Sequence, residues 1–222
     1  MLRIISTQEQ SGDNVASANL YLKDINFSKY LNQTDCTQCG FTSCKEFIDA
    51  IRKGTKKPQD CFFINRNKAY ALEATRRIEE LWPEVPLITH PRPSFIGLVE
   101  LNKPNTESIV LISGNNEYTE QILMTVLGTT ICPFFVIFVD TDGNTVDMSM
   151  IYQTLTAERI HKGLKETGVE GKARTRELII PGLASSLKED IENLTGWHVR
   201  VGPICAAEIP LFLAEMWIPP EV

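Results

Sequence analysis

The sequence predicts an α/β protein in two parts: a small helical unit gathered around cysteines, then a doubly wound parallel sheet. Three observations carry this. Cys36, Cys39, Cys44 and Cys61 stand in the pattern C-x2-C-x4-C-x16-C within the first third of a 222-residue chain. Beyond them come four nearly continuous apolar runs separated by helix-length segments, and strands of that kind are buried on both faces of a sheet covered by helices. Between the two lies PEVPLITHPRP (83–93), whose four prolines block both a helix and a central strand. The predicted division is therefore a cluster unit at 1–82, a stiff extended linker at 83–93 and an α/β domain at 94–222.

Taken in order, residues 1–30 give little; ANLYLKDINF reads as a strand or an irregular lead-in. SCKEFIDAIRKG predicts a short helix. Ser43 with Glu46 forms a capping box, Gly54 suits the left-handed residue that ends a helix, and Cys44, Phe47, Ile48 and Ile51 share the inward face. A second helix, NRNKAYALEATRRIEELW, stops at Pro83. After the linker, strands are predicted at 108–113, 133–140, 177–181 and 197–202, with helices at 118–127, 156–167, 183–194 and 205–215. Each strand runs into turn-forming residues, and ligands of open α/β sheets sit outside the carboxyl ends of the strands. The loops to watch are Ser113-Gly114-Asn115, Thr141 to Gly143, Pro181-Gly182-Leu183 and Gly202-Pro203. No GxGxxG or GxxxxGK[ST] follows any strand, so the dinucleotide and P-loop fingerprints are missing.

Charge divides with the chain. Residues 1–82 carry 12 Lys and Arg against 10 Asp and Glu, a net of +2, and residues 83–222 carry 10 against 18, a net of −8. With a total of −6 and no basic stripe, duplex nucleic acid is not an expected partner. Neither a secretory leader nor a run of about 18 apolar residues is visible, so a cytoplasmic, membrane-free protein is expected. Reducing cytosol disfavours disulfides, which turns the cysteine cluster toward metal or redox chemistry.

Four thiolates suit tetrahedral zinc or a [4Fe-4S] cube, both of which prefer sulfur to oxygen. Structural zinc commonly uses two CxxC-like knuckles, whereas Cys44 and Cys61 are separated by a helix, and this favours iron. Gly40, directly after Cys39, fits the same reading if backbone N–H groups turn toward cluster sulfides. Of the remaining cysteines, inert packing is the ordinary role for Cys132 and Cys205. Cys205 begins a helix, a position where the dipole lowers a thiol pKa and lets it tune a ligand. His90, His161 and His198 have no metal-ligand spacing.

LNQTDCTQCGFTSCKEFIDAIRKGTKKPQDC resembles the cluster domain of the corrinoid iron–sulfur protein large subunit family, which belongs to acetyl-CoA decarbonylase/synthase. The family ends this motif with Cys-Pro, and here Cys61 is followed by Phe62. FFVIFVDTDGNTV, RELIIPGLASSLKEDIENLTGW and HVRVGPICAAEIPLFL are similar to three blocks of that family's Rossmann-like corrinoid domain, including the loops at 140–143, 181–183 and 202–206 with Cys205 and Ala206. The family's TIM barrel, typically about 250 residues, has no room in this chain. The resemblance implies an anaerobic iron–sulfur electron-transfer protein. It would pass single electrons to a cobalamin-type corrinoid, held in its own second domain or on a partner corrinoid protein, with a redox partner and a second subunit in the barrel's place. Where the family has a glycine-containing stretch capping the cobalt, this chain has VDMSMIYQTL, so that Met148 and Met150 either form an apolar lid over a corrinoid or fill the hole. The alternative class is a non-redox interaction module held together by zinc or a cluster. No general base or activated nucleophile is legible, so the chain is not read as an enzyme by itself.

Overall fold

The computed structural model describes residues 20–32, 34–87 and 91–220. His90, most of the leading segment and residues 88–90 of the proline segment lie outside the described residues.

The lead-in is irregular, with two 3-10 turns at Leu22–Asp24 and Phe27–Tyr30. Helix α1 (Cys44–Arg52) begins where the Ser43 hydroxyl accepts from the Glu46 amide. The Glu46 carboxylate closes the cap one residue earlier than a standard box, accepting from the amide and hydroxyl of Thr42. Phe47, Ile48 and Ile51 are buried, as the i, i+3, i+4, i+7 spacing requires. Helix α2 (Arg66–Leu81) starts from Asn65, whose side chain accepts from the Lys68 amide, and ends at Trp82.

The second part is a five-stranded sheet in the order β1-β3-β2-β4-β5, with β1 Gly97–Leu101, β2 Ile109–Gly114, β3 Phe134–Val139, β4 Glu177–Ile180 and β5 His198–Val201. Four strands are those the apolar runs predict, and they pair in parallel. β1 was not predicted, and it pairs antiparallel with β3, putting Val99 opposite Val136. Helices α3 (Glu117–Leu127), α4 (Val146–Ile151), α5 (Ala157–Glu166), α6 (Lys188–Thr195) and α7 (Ile209–Phe212) complete the chain. The predicted helix at 183–194 opens as a 3-10 segment, Gly182–Leu187, and that at 205–215 is one α turn between two 3-10 turns. Pro210 lacks the N–H that would extend the ladder of the latter.

Side chains alternate between the two faces. Val110, Ile112, Phe135, Ile137, Leu178 and Ile180 pack with Ile160 and Leu164 of α5 and Ile191 of α6. On the opposite face lie Leu111, Phe134, Val136, Phe138 and Ile179, and their apolar cluster also holds Phe47 and Ile51 of α1, Leu72 of α2, Leu211 and Trp217. The cysteine unit and the sheet therefore share one core. Hydrogen bonds add to the joint: Tyr70 Oη donates to Thr129 O (2.5 Å), Asn65 to Glu215 Oε2 (2.7 Å) and Tyr30 Oη to Glu208 Oε1 (2.8 Å). The end of the proline segment is stitched to the strand-end loops through Arg92 N to Gly143 O (2.9 Å), Ser94 N to Asn115 O (2.8 Å) and a bridge between Pro93 and Asn116.

Candidate functional site

Two cavities face the chemistry. The smaller, about 20 Å³, is lined by all four cysteines of the motif together with Tyr30, Phe41, Phe47, Ile64 and Lys68. The loop that carries Cys36 and Cys39 winds through positive φ at Asp35, Thr37 and Gly40, and a β-branched residue in that region is a strained one. Asp35 Oδ1 fixes the loop to the next element by accepting from the Cys44 amide at 2.6 Å. Gly40 serves this winding: its φ is +83°, and its amide donates to Thr37 O. Cys39, Cys44 and Cys61 rest on the shared core. All six cysteines are free thiols, and no three His, Cys, Asp or Glu side chains among the described residues close on a single point as a metal would require. The donor set is nonetheless pure sulfur around one pocket, the chemistry that suits soft iron or zinc.

The larger cavity, about 390 Å³, opens at the carboxyl ends of β2, β4 and β5. Chain connections run from β2 outward to β3 and then back across to β4, so this is the point where the winding reverses, where α/β sheets place their ligands. Its floor is Leu111, Ile112, Ser113, Ile179, Ile180 and Pro181. Its other wall comes from before the sheet: Leu20 and Tyr21 from the lead-in, and Trp82, Val85 and Leu87 after α2. The lining is mostly apolar, with Asp147 as its carboxylate, and Thr145 Oγ1 donates to that group. Burial, then the charges of Asp147 and Asp24, push the Tyr21 hydroxyl up from its ordinary pKa.

Of the strand-end residues singled out in the sequence, Ser113, Met148, Pro181, Leu183, Gly202, Pro203, Cys205 and Ala206 line this cavity. Gly114, Asn115, Thr141, Gly143, Met150 and Gly182 do not, and each has a structural occupation. Asn115 Oδ1 accepts from the Thr141 amide (2.7 Å) and hydroxyl and from the Gly143 amide, tying two loops together. A Cβ on Gly114 would meet Thr141, and one on Gly143 would meet Pro93. Met150 packs into the core beneath the sheet. A Cβ on Gly182 would lie 2.7 Å from Ile204 N and 2.8 Å from Gly202 O, so this glycine exists for the contact between the β4 and β5 loops. Cys205 is buried, in keeping with the ordinary packing role, and the lowering that a helix start would give its thiol does not prevail. Its thiol is buried, donates to Leu20 O at 3.0 Å, and burial pushes its pKa up to about 11. The helix it precedes is a single 3-10 turn, too short a dipole to offset desolvation. The walls from Leu20, Tyr21, Trp82, Val85 and Leu87 went unpredicted; they come from segments with no periodicity to announce them.

The described residues contain no helix long and apolar enough to cross a membrane. Comparison with known families matches residues 74–213 to the CO dehydrogenase/acetyl-CoA synthase delta subunit family, more than half of the chain. The chain belongs to that family. Residues 31–63 separately match an Fe-S cluster family, and this span contains Cys36, Cys39, Cys44 and Cys61. Among relatives of this CO dehydrogenase/acetyl-CoA synthase family protein is the acetyl-CoA decarbonylase/synthase complex subunit gamma of Methanopyrus kandleri, 31% identical over 146 residues, 61% of this chain and 32% of the relative. The corrinoid/iron-sulfur protein large subunit of Moorella thermoacetica is 32% identical over 130 residues, 59% and 28% of the two chains. The gamma subunit of Methanocaldococcus jannaschii is 26% identical over 203 residues, 87% and 40%. The resemblance read from the cysteine motif and the three later blocks is borne out. The chain spans about a third of the length of the curated relatives it matches.

Proposed function

We propose that this protein holds a [4Fe-4S] cluster on Cys36, Cys39, Cys44 and Cys61 and exchanges single electrons with a corrinoid, held in its larger cavity or on a partner. The observation that carries this reading is that all four motif cysteines line one small pocket, in the span that matches an Fe-S family. A cluster of this kind, once bound, supplies one-electron redox chemistry. The chain's own contribution is to fix the thiols. Asp35 holds the loop to α1, and the apolar neighbours Phe41, Phe47 and Ile64 keep water from the sulfurs, which sets the potential.

For the corrinoid, the fit is partial. The cavity is apolar, it lies at the sheet's reversal point, and room remains beside Met148, so the side chains of VDMSMIYQTL do not fill it. Its volume lies at the lower end of the roughly 300–1,000 Å³ that holds drug-sized ligands, and a corrinoid is larger than those. Binding in this cavity therefore requires the wall of Leu20 and Tyr21, latched by Cys205, to move. Tyr21 and Asp147, with Ser113, Tyr118, Thr119 and Thr145, are the polar groups of the lining that could orient such a ligand, and the apolar remainder excludes water.

The test is anaerobic purification with iron, sulfide and zinc analysis. About four irons with labile sulfide, lost in each Cys→Ser variant of the four and retained in Cys132→Ser, is the expected result; one zinc per chain would sink the redox reading in favour of a structural module. Titration with cobinamide, followed by absorbance and by thermal unfolding, then decides whether the corrinoid site is in this chain.

A further inference from the structure

Beside the last motif cysteine the surface changes character. Phe62 and Phe63 directly follow Cys61 and are 80% and 51% exposed, and Phe62 is the most exposed large apolar side chain among the described residues. Exposed cations flank them, with Arg52, Lys53, Lys56 and Lys57 before and Arg66 after. Across residues 41–68 there are seven Lys and Arg against three Asp and Glu, a local +4 on a chain whose total is −6. Only part of this charge is used internally. Lys56 reaches Asp60 at 4.0 Å and lies over the Phe41 ring, and Arg52 lies over the Phe27 ring.

Single exposed apolar residues are ordinary, but two adjacent exposed aromatics form a contiguous apolar patch, the feature that marks contact sites. The patch is small, lies in a segment where exposed cations outnumber carboxylates with Asp60 as the nearest acid, and adjoins a thiol that lines the candidate cluster pocket. That is the anatomy of a transient electron-transfer contact: an apolar centre, a charged rim that speeds encounter, and little area. We infer that Phe62 and Phe63, with the exposed cations Lys53, Lys57 and Arg66 that flank them in the chain, form the docking surface for a small acidic one-electron protein that exchanges electrons with the cluster at Cys61. The inference rests on the cluster reading above. In the reductive direction one electron leaves the partner's iron–sulfur centre, which is oxidised, and enters the cluster, which is reduced; no proton or bond changes hands. Acidity of the partner follows from the flanking cations, and its small size follows from the limited extent of the patch.

The experiment uses the full chain, purified anaerobically, with an acidic [2Fe-2S] ferredoxin as probe. Affinity is measured with both proteins oxidised, and reduction by the reduced probe is followed by stopped flow. The inference expects K53E/K57E to retain its iron while losing about tenfold in affinity and association rate at low salt, with a flattened salt dependence. Phe62→Ala is expected to weaken affinity to a similar degree while leaving the salt slope intact. Reduction by methyl viologen radical, which needs no docking surface, should change little in Phe62→Ala. An iron-loaded wild type whose affinity and rate ignore all these substitutions overturns the surface and leaves the cluster reading standing. A wild type without iron overturns both. Concentration-dependent growth in mass of the wild type alone, abolished by K53E/K57E, assigns the patch to the acidic face of a second copy and overturns the partner named here.

Discussion

Cys205 shows how a single residue's environment can invert what its sequence position suggests. A free thiol titrates near pH 8.5, and in the folded chain burial raises this to about 11. A raised pKa means that the folded state holds its proton where the unfolded state has lost it. The resulting stability is complete below about pH 8.5 and is lost as pH rises toward 11. Tyr30, raised by burial and by its hydrogen bond to Glu208, acts in the same direction, but only above the usual tyrosine range near 10. Urea unfolding between pH 8.5 and 10 should therefore show a midpoint that falls for the wild type and stays nearly level for Cys205→Ala. The same buried thiol should resist iodoacetamide at pH 8 in the folded protein. Residues of this kind divide sharply in legibility. The four motif cysteines could be read because their spacing is local. The latch between Cys205 and Leu20 spans 185 positions and leaves no local mark.

Elements were legible where burial is uniform. β2, β3 and β4 are nearly all apolar, and that pattern marks a strand enclosed on both faces, whereas β5 alternates His198 and Arg200 with Val199 and Val201. β1 is half-buried and carries Glu100 as its fourth residue, so its sequence does not distinguish it from a loop; only its pairing with β3 makes it a strand. The two helical stretches after β4 and β5 were read as helix-length segments between strands, and length alone does not separate α from 3-10 winding when the turns are few. The glycines of the strand-end loops were legible as turn residues, yet their reason differs from the ligand approach that the pattern suggests. At Gly182 an added Cβ meets backbone atoms of the neighbouring loop, and backbone cannot be pushed aside cheaply. Gly182→Ala should cost on the order of 1–3 kcal/mol in chemical denaturation, against little change for Gly171→Ala, where nothing lies within 4 Å of the new atom.

At the scale of the whole molecule, the cysteine segment and the sheet are joined by one apolar cluster. α2 carries Leu72 into the apolar cluster that also contains Trp217 and the sheet residues Val136 and Phe138. Leu72 is fully buried, and Leu72→Ala should cost about 2–5 kcal/mol. Because the core is common, tryptophan fluorescence in a Trp82→Phe background, which leaves Trp197 and Trp217 after the proline segment, and thiol accessibility at the cysteine pocket should shift to one shared lower midpoint. Two separated transitions would contradict the shared core.

The larger cavity has one bank in the sheet and the other in Leu20, Tyr21, Trp82, Val85 and Leu87. Neither half can be transplanted. A graft of the sheet portion onto a foreign cysteine module would leave its hollow open to solvent along one side, and a transplanted cysteine module would arrive with its tryptophan and tyrosine bare. Changes on either bank must therefore be compatible with the other, and variation that suits one ligand has to be made in both at once.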